Sequence, residues 1–212
     1  MVQASTWLVA LGCLLSSWSF FVSGSPLVPT ERGVGLYTFA DGPIQWRGAL
    51  EEGQEPVYLT GGTFEEIEAK AKALNPTYTI FDNSSVALKA RDGLNTRQTQ
   101  AIHCGWPPGW TASWDSAAIT VGIAYLRGIS GDCRGAPGPG ACGRVSCSWS
   151  SAIYYCNDNT YEIWEPCRWI GDVAASIVDS CEYLDQVPLR GRTIGQAFDY
   201  RKWNTIVAAG DC

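Results

Sequence analysis

The stretch GDCRGAPGPGACGRVSCSWSSAIYYCNDN, residues 131–159, decides the fold of this chain. Within it, Val145 and Cys147 alternate with polar residues, and Ile153 and Tyr155 resume the alternation after a short serine turn. A period of two on both sides of a polar turn predicts a β-hairpin. Because the strands of this hairpin carry cysteines, we expect an antiparallel sheet that is crosslinked by disulfides.

The amino terminus predicts the compartment in which such crosslinks form. Residues 1–24 contain no Asp, Glu, Lys or Arg, residues 6–22 are almost wholly apolar or small, and small residues precede Pro26. This pattern predicts a removable secretory signal peptide over residues 1–24. No later run is long and apolar enough to anchor the chain, so we expect a secreted, extracellular protein without stable membrane insertion.

The cysteine count agrees with secretion. Of nine cysteines, Cys13 leaves with the signal peptide, and the even number that remains predicts four disulfides of undetermined connectivity. A zinc site is the alternative, but the chain has no Cys-x-x-Cys pair and a single histidine, so we expect no metal and no cofactor. The expected disulfide residues are Cys104, Cys133, Cys142, Cys147, Cys156, Cys167, Cys181 and Cys212.

The positions of these cysteines divide the mature chain. Residues 25–100 are free of cysteine, and the pattern of short strands and one helix predicts either a pro-region that is removed or a small β-β-α-β subdomain. The helix begins at a capping box formed by Thr63 and Glu66 and ends before Pro76, and the last strand covers residues 78–81.

Residues 101–212 are expected to form a disulfide-rich α+β domain. One helix is capped by Ser113 and ends near Gly128, a second runs from Pro166 to Cys181, and a strand covers residues 205–208. The fold predicted from these elements is a small disulfide-stabilised α+β sandwich, with two helices on an antiparallel sheet. The face of the first helix that we expect to be buried carries Trp114, Ala118, Val121 and Tyr125.

Residues 101–212 also resemble a known class of proteins. The cysteine-rich run of residues 131–159, with the Trp-Asn-Thr-Ile-Val run of residues 203–207 before Cys212, resembles fungal secreted cysteine-rich proteins. The Cys-Arg-Gly start at Cys133 and the helix that ends in Cys181 are similar to the killer-toxin-like fold of smut killer toxins and some necrosis-inducing effectors. This resemblance implies an α/β sandwich and a toxin or effector role, and it implies no catalytic residue.

Tryptophan supplies the candidate binding residues. Trp106 and Trp110 flank a Pro-Pro-Gly turn, where their rings could stack on a sugar or on a partner surface. Filling of the core is the alternative interpretation for both. Trp149 and Trp169, on a predicted strand and a predicted helix, are expected to pack in the core.

Catalytic chemistry finds little support in the sequence. His103 is the only histidine, and a structural role beside Cys104 is favoured over a triad that lacks a recognisable nucleophile. We therefore assign no catalytic residue and expect no enzyme. Paired carboxylates of a glycoside hydrolase are the remaining alternative, and the acids that could supply them are Asp115, Asp132, Asp158, Glu162 and Glu165.

The charge of the chain restricts its partners. A net charge of −6 disfavours binding to nucleic acid or to an anionic membrane. Asn83 is the acceptor of the sole glycosylation sequon. Near the carboxy terminus, cations form a short cluster typical of solvated surface, with binding as the alternative; they are Arg190, Arg192, Arg201 and Lys202.

These observations together predict a secreted fungal effector or toxin-like protein. We expect it to act without catalysis, by binding a protein or glycan target on a host or competitor. The alternative is a small secreted cell-wall-active glycoside hydrolase or carbohydrate-binding protein.

Overall fold

A computed structural model describes most of the chain after residue 37. The residues described are 38–39, 42–81, 99–105, 107–186 and 189–212. The predicted signal peptide, Asn83 and Trp106 lie outside the described residues, so their roles stay predictions.

The cysteine-free segment contributes three strands and one helix, namely β1 (Thr38–Phe39), β2 (Ile44–Gly48), β3 (Val57–Gly61) and α1 (Phe64–Leu74). The predicted capping box of α1 is confirmed, because the Thr63 hydroxyl accepts the Glu66 N–H at 3.3 Å. The Glu66 carboxylate in turn accepts the Gly62 N–H at 2.8 Å. The helix buries Phe64 and Ile67 and ends at Asn75.

The predicted strand over residues 78–81 is wrong. Only Phe81 pairs there, as an isolated bridge to Ile129. The Ile80 N–H donates to the Glu68 carboxylate at 2.6 Å instead of entering a strand ladder. A side chain of α1 therefore satisfies the backbone that a neighbouring strand would otherwise pair.

The remaining elements belong to the cysteine-rich region. They are β4 (Thr99–Cys104), α2 (Ser116–Arg127), β5 (Asp132–Gly135), β6 (Ala141–Ser148), β7 (Ser151–Asn157), β8 (Ile163–Pro166), α3 (Cys167–Cys181), β9 (Glu182–Gln186), β10 (Leu189–Thr193), β11 (Gly195–Asp199) and β12 (Trp203–Ala208). The predicted helix at residues 166–181 and the predicted last strand are confirmed as α3 and β12.

The strands form three sheets. The orders are β1-β6-β7-β12-β11-β4, β3-β2-β5-β8 and β10-β9, and each pair is antiparallel except β1 with β6. The predicted mixture of helices with antiparallel sheets is confirmed. The predicted single sandwich with two helices is wrong, because the described residues contain three helices and several sheets.

The predicted hairpin is confirmed as β6 and β7, with Cys142 opposite Cys156. Its turn consists of Trp149 and Ser150, whose φ angles are 49° and 50°. Trp149 therefore lies on the turn instead of the strand, and its side chain is 79% exposed. The prediction that Trp149 packs in the core is wrong, whereas Trp169 does pack against the core.

Helix α2 begins two residues later than predicted, because its cap is Asp115 and not Ser113. Asp115 caps it by accepting the Ala117 N–H at 2.8 Å, while the Ser113 hydroxyl accepts the Thr193 N–H at 2.9 Å. The predicted buried face is wrong, since Trp114 and Val121 are exposed. The helix carries apolar residues on several sides, so periodicity alone did not select the buried face, which contains Ile119, Gly122, Ile123 and Leu126.

Four disulfides crosslink this region, as the cysteine count predicts. The structure supplies their connectivity, which the sequence left open. The pairs are Cys104–Cys181, Cys133–Cys167, Cys142–Cys156 and Cys147–Cys212.

One hydrophobic core joins the cysteine-free segment to the cysteine-rich region. Trp46 of β2 is fully buried, lies opposite Cys133 of β5, and donates its indole N–H to the Ser130 carbonyl at 2.6 Å. Gly131, with φ of +79°, leaves room for this ring, since a Cβ there would lie 2.6 Å from the indole nitrogen. Residues 42–81 are therefore part of the folded structure, and the removal of residues 25–100 by processing stays a prediction.

Candidate binding cleft

A cleft of about 820 Å³ opens beside β6 and the carboxy-terminal residues. We call it the aromatic cleft. Its volume lies in the range that small-molecule sites occupy in proteins. Its lining consists of Gly42, Pro43, Ile44, Gly62, Gly109, Trp110, Thr111, Arg144, Tyr154, Ala209, Gly210 and Asp211.

Two aromatic rings form one wall of the aromatic cleft. Trp110 and Tyr154 meet edge to face, with their ring centroids 5.2 Å apart and their planes at 85°. Both rings are partly buried against a small core cluster that includes Cys142 and Ile206. Trp110 therefore combines the two roles that its sequence context left open, because it packs on the core and also lines the cleft.

Local backbone structure positions these rings. The Trp110 N–H closes a turn by donating to the Pro107 carbonyl at 3.3 Å, and Gly109 adopts a φ of +83° that favours glycine. The Tyr154 hydroxyl donates to the Ala209 carbonyl at 3.2 Å. The wall is thus held by main-chain contacts on both sides.

Disulfides and a close backbone approach hold the carboxy-terminal residues of the cleft in place. Cys147–Cys212 fastens the carboxy-terminal residues to β6, and Cys142–Cys156 links β6 to β7. Gly210 fits closely, since a Cβ there would lie 2.6 Å from the Tyr154 hydroxyl oxygen. We therefore expect the cleft to be rigid in shape.

The charged residues that line the aromatic cleft are Arg144 and Asp211. Arg144 is exposed and donates from its guanidinium to the main-chain carbonyl of Asp211. A guanidinium has five N–H donors, so one such bond leaves others for a ligand. Arg144 also lines an adjoining pocket of about 390 Å³, which it shares with Ile44 and Gly62. The concave surface therefore extends along β6.

The five acids that the sequence offered for glycoside hydrolysis lie outside the cleft lining, and each has a partner in the fold. Asp115 caps α2, Asp132 forms a salt bridge with Arg47 at 2.9 Å, Asp158 accepts the Asn204 amide at 2.7 Å, Glu162 pairs with Arg134 at 2.9 Å, and Glu165 pairs with Arg201 at 2.7 Å. Burial raises the pKa of Asp158 and of Glu165 above their ordinary values.

His103 lies on the exposed side of β4, away from the aromatic cleft. Its ring meets Phe198 edge to face with centroids 5.7 Å apart, and its neighbour Cys104 is bonded to Cys181. The disulfide at Cys104 is therefore confirmed, and the structural role of His103 stays a prediction.

Sequence reasoning identified Trp110 but missed Tyr154 and Arg144. Tyr154 has the opposite orientation to Ile153 and Tyr155 along β7, so an aromatic on the outer face of the predicted hairpin was an available signal. Arg144 carried no signal, because its place in the cleft depends on the carboxy-terminal residues that fold back onto β6.

Within the described residues, no helix is long and apolar enough to cross a membrane, and no group of three His, Cys, Asp or Glu side chains is arranged to hold a metal ion. Comparison with family models, with curated proteins and with solved structures found no match to this chain.

Proposed function

We propose that this protein is a secreted fungal effector or toxin-like protein that binds a host or competitor target, without catalysis, through the aromatic cleft. The observation that carries the proposal is the pairing of Trp110 with Tyr154 in the wall of the 820 Å³ cleft. A rigid pair of half-buried aromatic rings offers contact area at little entropic loss, as binding sites commonly do.

Further observations support this proposal. The predicted signal peptide and four disulfides suit an extracellular role. The acids that could act as hydrolase residues are engaged in caps and ion pairs outside the cleft. The resemblance of residues 101–212 to fungal killer-toxin-like proteins suggests a target on plant tissue or on a competing fungus.

The test is retention of the purified, labelled protein on plant tissue and on competing fungal cells. We expect Trp110→Ala and Arg144→Ala each to reduce retention by about tenfold or more, which corresponds to about 1.4 kcal/mol of binding free energy. Because Trp110 also packs on the core, the exposed Arg144 provides a variant that keeps the fold. Tyr161→Ala, at an exposed tyrosine outside the cleft, is the matched control and should retain full binding. Unchanged retention by both cleft variants would overturn the proposal.

A glycan is the second candidate target. In that case the chain would be a carbohydrate-binding protein or a cell-wall hydrolase. The exposed part of Trp110 could stack on a sugar ring, and glycines at positions 42, 62, 109 and 210 leave main-chain groups accessible along the lining. A panel of chitin, cellulose, xylan and pectin separates the candidates. Saturable retention that Trp110→Ala abolishes would favour the glycan, and release of sugar would favour the hydrolase.

A further inference from the structure

A second surface, outside the lining of the aromatic cleft, combines exposed aromatic rings with half-buried arginine side chains. We call it the Trp–Arg patch, and it consists of Trp114, Trp149, Tyr183, Arg190 and Arg192. Trp114 is 50% exposed, Trp149 is 79% exposed and Tyr183 is 46% exposed. Trp, Tyr and Arg are the residue types that dominate the energetic centres of protein interfaces.

Backbone contacts bring the parts of the Trp–Arg patch together. The Trp114 N–H donates to the Ser150 carbonyl at 3.3 Å, which places the segment before α2 against the β6–β7 turn that carries Trp149. In the β9–β10 hairpin, Arg192 lies opposite Tyr183, and Arg190 follows on the same face. Three separate segments thus present their side chains on one surface.

The arginines of the patch differ in how they are held. Arg192 donates to the carbonyl oxygens of Ala112 and Ser113 at 3.1 and 3.0 Å, and to the Asp185 carboxylate at 3.2 Å. Its guanidinium carbon lies 6.0 Å from the Trp114 ring centroid. Arg192 therefore organises the patch and uses its own hydrogen-bond donors in doing so.

Arg190 has a different position. Its guanidinium carbon lies 3.9 Å above the Trp114 ring, and among the described residues it forms no salt bridge within 4.0 Å. Stacking on an aromatic face leaves the N–H donors in the guanidinium plane free. They can then donate two parallel hydrogen bonds to one carboxylate.

The acids around Arg190 do not balance its charge. Asp185 lies opposite Arg190 in the β9–β10 hairpin, but its carboxylate forms its salt bridge with Arg192, and Asp115 caps α2. Glu182 belongs to the other face of the hairpin, because its carboxylate packs over Gly191. The patch is therefore locally cationic in a chain of net charge −6.

The turn that carries Trp149 also points to binding. Two central residues with positive φ define a type I′ turn, which strongly favours Asn-Gly, yet here they are Trp149 and Ser150. A large exposed side chain in left-handed backbone is unfavourable, and such strain is retained mostly at functional sites. The exposed position of Trp149 in this backbone therefore supports a role in binding.

The geometry points to a docking site on the Trp–Arg patch for a partner protein that presents a carboxylate among apolar side chains. The carboxylate binds Arg190, and apolar groups beside it cover Trp149 and Trp114. Charge complementarity selects an acidic segment, since Arg190 is the charge that the fold leaves unbalanced. This inference does not depend on the proposed role of the aromatic cleft.

The test uses a random dodecapeptide library displayed on phage and selected on the full mature protein. We expect enriched sequences with Asp or Glu next to Leu, Phe or Trp. For a synthetic peptide of enriched sequence, Arg190→Gln in the protein and Glu→Gln in the peptide should each weaken binding at least tenfold. Tyr161→Ala, at an exposed tyrosine outside both the aromatic cleft and the Trp–Arg patch, should leave that affinity unchanged. Failure to enrich acidic sequences, or equal binding by Arg190→Gln, would overturn the inference.

Trp149→Asn separates binding from structure. Asparagine tolerates positive φ, so this variant should unfold at a temperature equal to or above that of the parent, and yet bind the peptide at least tenfold more weakly. A lower unfolding temperature with unchanged binding would assign Trp149 a structural role instead. Sedimentation of the protein alone should show a monomer, and a dimer that Trp149→Asn dissociates would identify a second copy as the occupant and overturn the acidic partner.

Discussion

Residues 42–81 and residues 99–212 are stabilised in different ways. The first region has no crosslink and depends on burial of Trp46, Phe64 and Ile67. The second carries four disulfides and leaves Trp114 and Trp149 exposed. The crosslinked region also buries Trp203 and Tyr155, and the first region exposes Tyr58, so the difference does not lie in how many aromatic rings each region buries. The comparison teaches that the crosslinked region gains stability by restricting its unfolded chain, whereas the region without crosslinks depends on burial alone.

The largest expected effect comes from reduction of the disulfides. Each crosslink contributes about 2–4 kcal/mol, so the total is comparable to the whole stability of a typical domain. We expect the reduced protein to lose cooperative unfolding, as measured by near-ultraviolet circular dichroism. Intact mass after alkylation of the native protein should show no modified thiol. Two or more reactive thiols, or a reduced protein that still unfolds cooperatively, would contradict the contrast between the regions.

The next effect probes the first region. Trp46→Ala removes a fully buried ring and its hydrogen bond to Ser130, and we expect a loss of about 3–5 kcal/mol in the free energy of unfolding. Trp149→Ala, at an exposed ring, is the control and should change stability by about 0.5 kcal/mol or less. Denaturant unfolding measures both. A loss below about 1 kcal/mol for Trp46→Ala would mean that residues 42–81 are dispensable, as a pro-region would be.

A smaller effect is expected at the start of α1. Thr63→Ala removes the acceptor of the Glu66 N–H and should destabilise the protein by about 1 kcal/mol. Thr63→Ser keeps the hydroxyl and should remain within a few tenths of the parent value. Equal stability of both variants in denaturant unfolding would show that the cap contributes nothing to the docking of α1.

The smallest expected effect is a difference in pH dependence between the regions. In α1, burial opposes ionisation of Glu68, but hydrogen bonds from Lys72, Ile80 and Thr79 prevail and lower its pKa. In the crosslinked region, burial prevails at Asp158, Glu165 and Asp172 and raises their pKa values. Acidification should therefore weaken the first region and favour the second.

Glu165 gives the sharpest test of this difference. Its pKa lies above the ordinary 4.5, so the native state binds the proton more readily than the unfolded state. Its favourable contribution is complete below the unfolded-state pKa and is lost as the pH rises through the folded-state pKa. Glu165→Gln can still accept the Arg201 hydrogen bond, and we expect a flatter decline of unfolding free energy as the pH rises above about 4.5. If the variant and the parent show the same decline of unfolding free energy with pH, Glu165 is not the source of that decline.

The elements that the sequence predicted correctly are those whose residues follow a single clear pattern. Helices α1 and α3 and the β6–β7 hairpin follow from caps and from periodicity, and the four disulfides follow from an even cysteine count. The buried face of α2 was wrong because apolar residues surround that helix, so contacts with neighbouring elements decide which side is covered. Strands β2, β4, β5 and β8 to β11 were not predicted. Two of them, β5 and β8, have only four residues, and the residues of others, such as the run Glu182–Gln186, are largely charged or polar.

The candidate site was only partly predictable for a related reason. Trp110 was identified from its turn, but Tyr154 and Arg144 reach it through strand register and a carboxy-terminal disulfide, neither of which local pattern reveals. The prediction for Trp149 was wrong because the alternating pattern extended the predicted strand one residue beyond Ser148, where β6 ends. The turn geometry there depends on the register of β6 with β7.

The spacing of the disulfides has a consequence for the order in which the protein matures. Cys142–Cys156 closes the shortest loop, with a sequence separation of 14, and Cys133–Cys167 follows at 34. Shorter loops lose less chain entropy on closure, so we expect oxidative folding to lock the hairpin first. The next bond fixes β5, the strand on which β2 docks. Residues 42–81 leave the ribosome first and yet are expected to dock after these bonds, onto a platform that the later part of the chain must assemble.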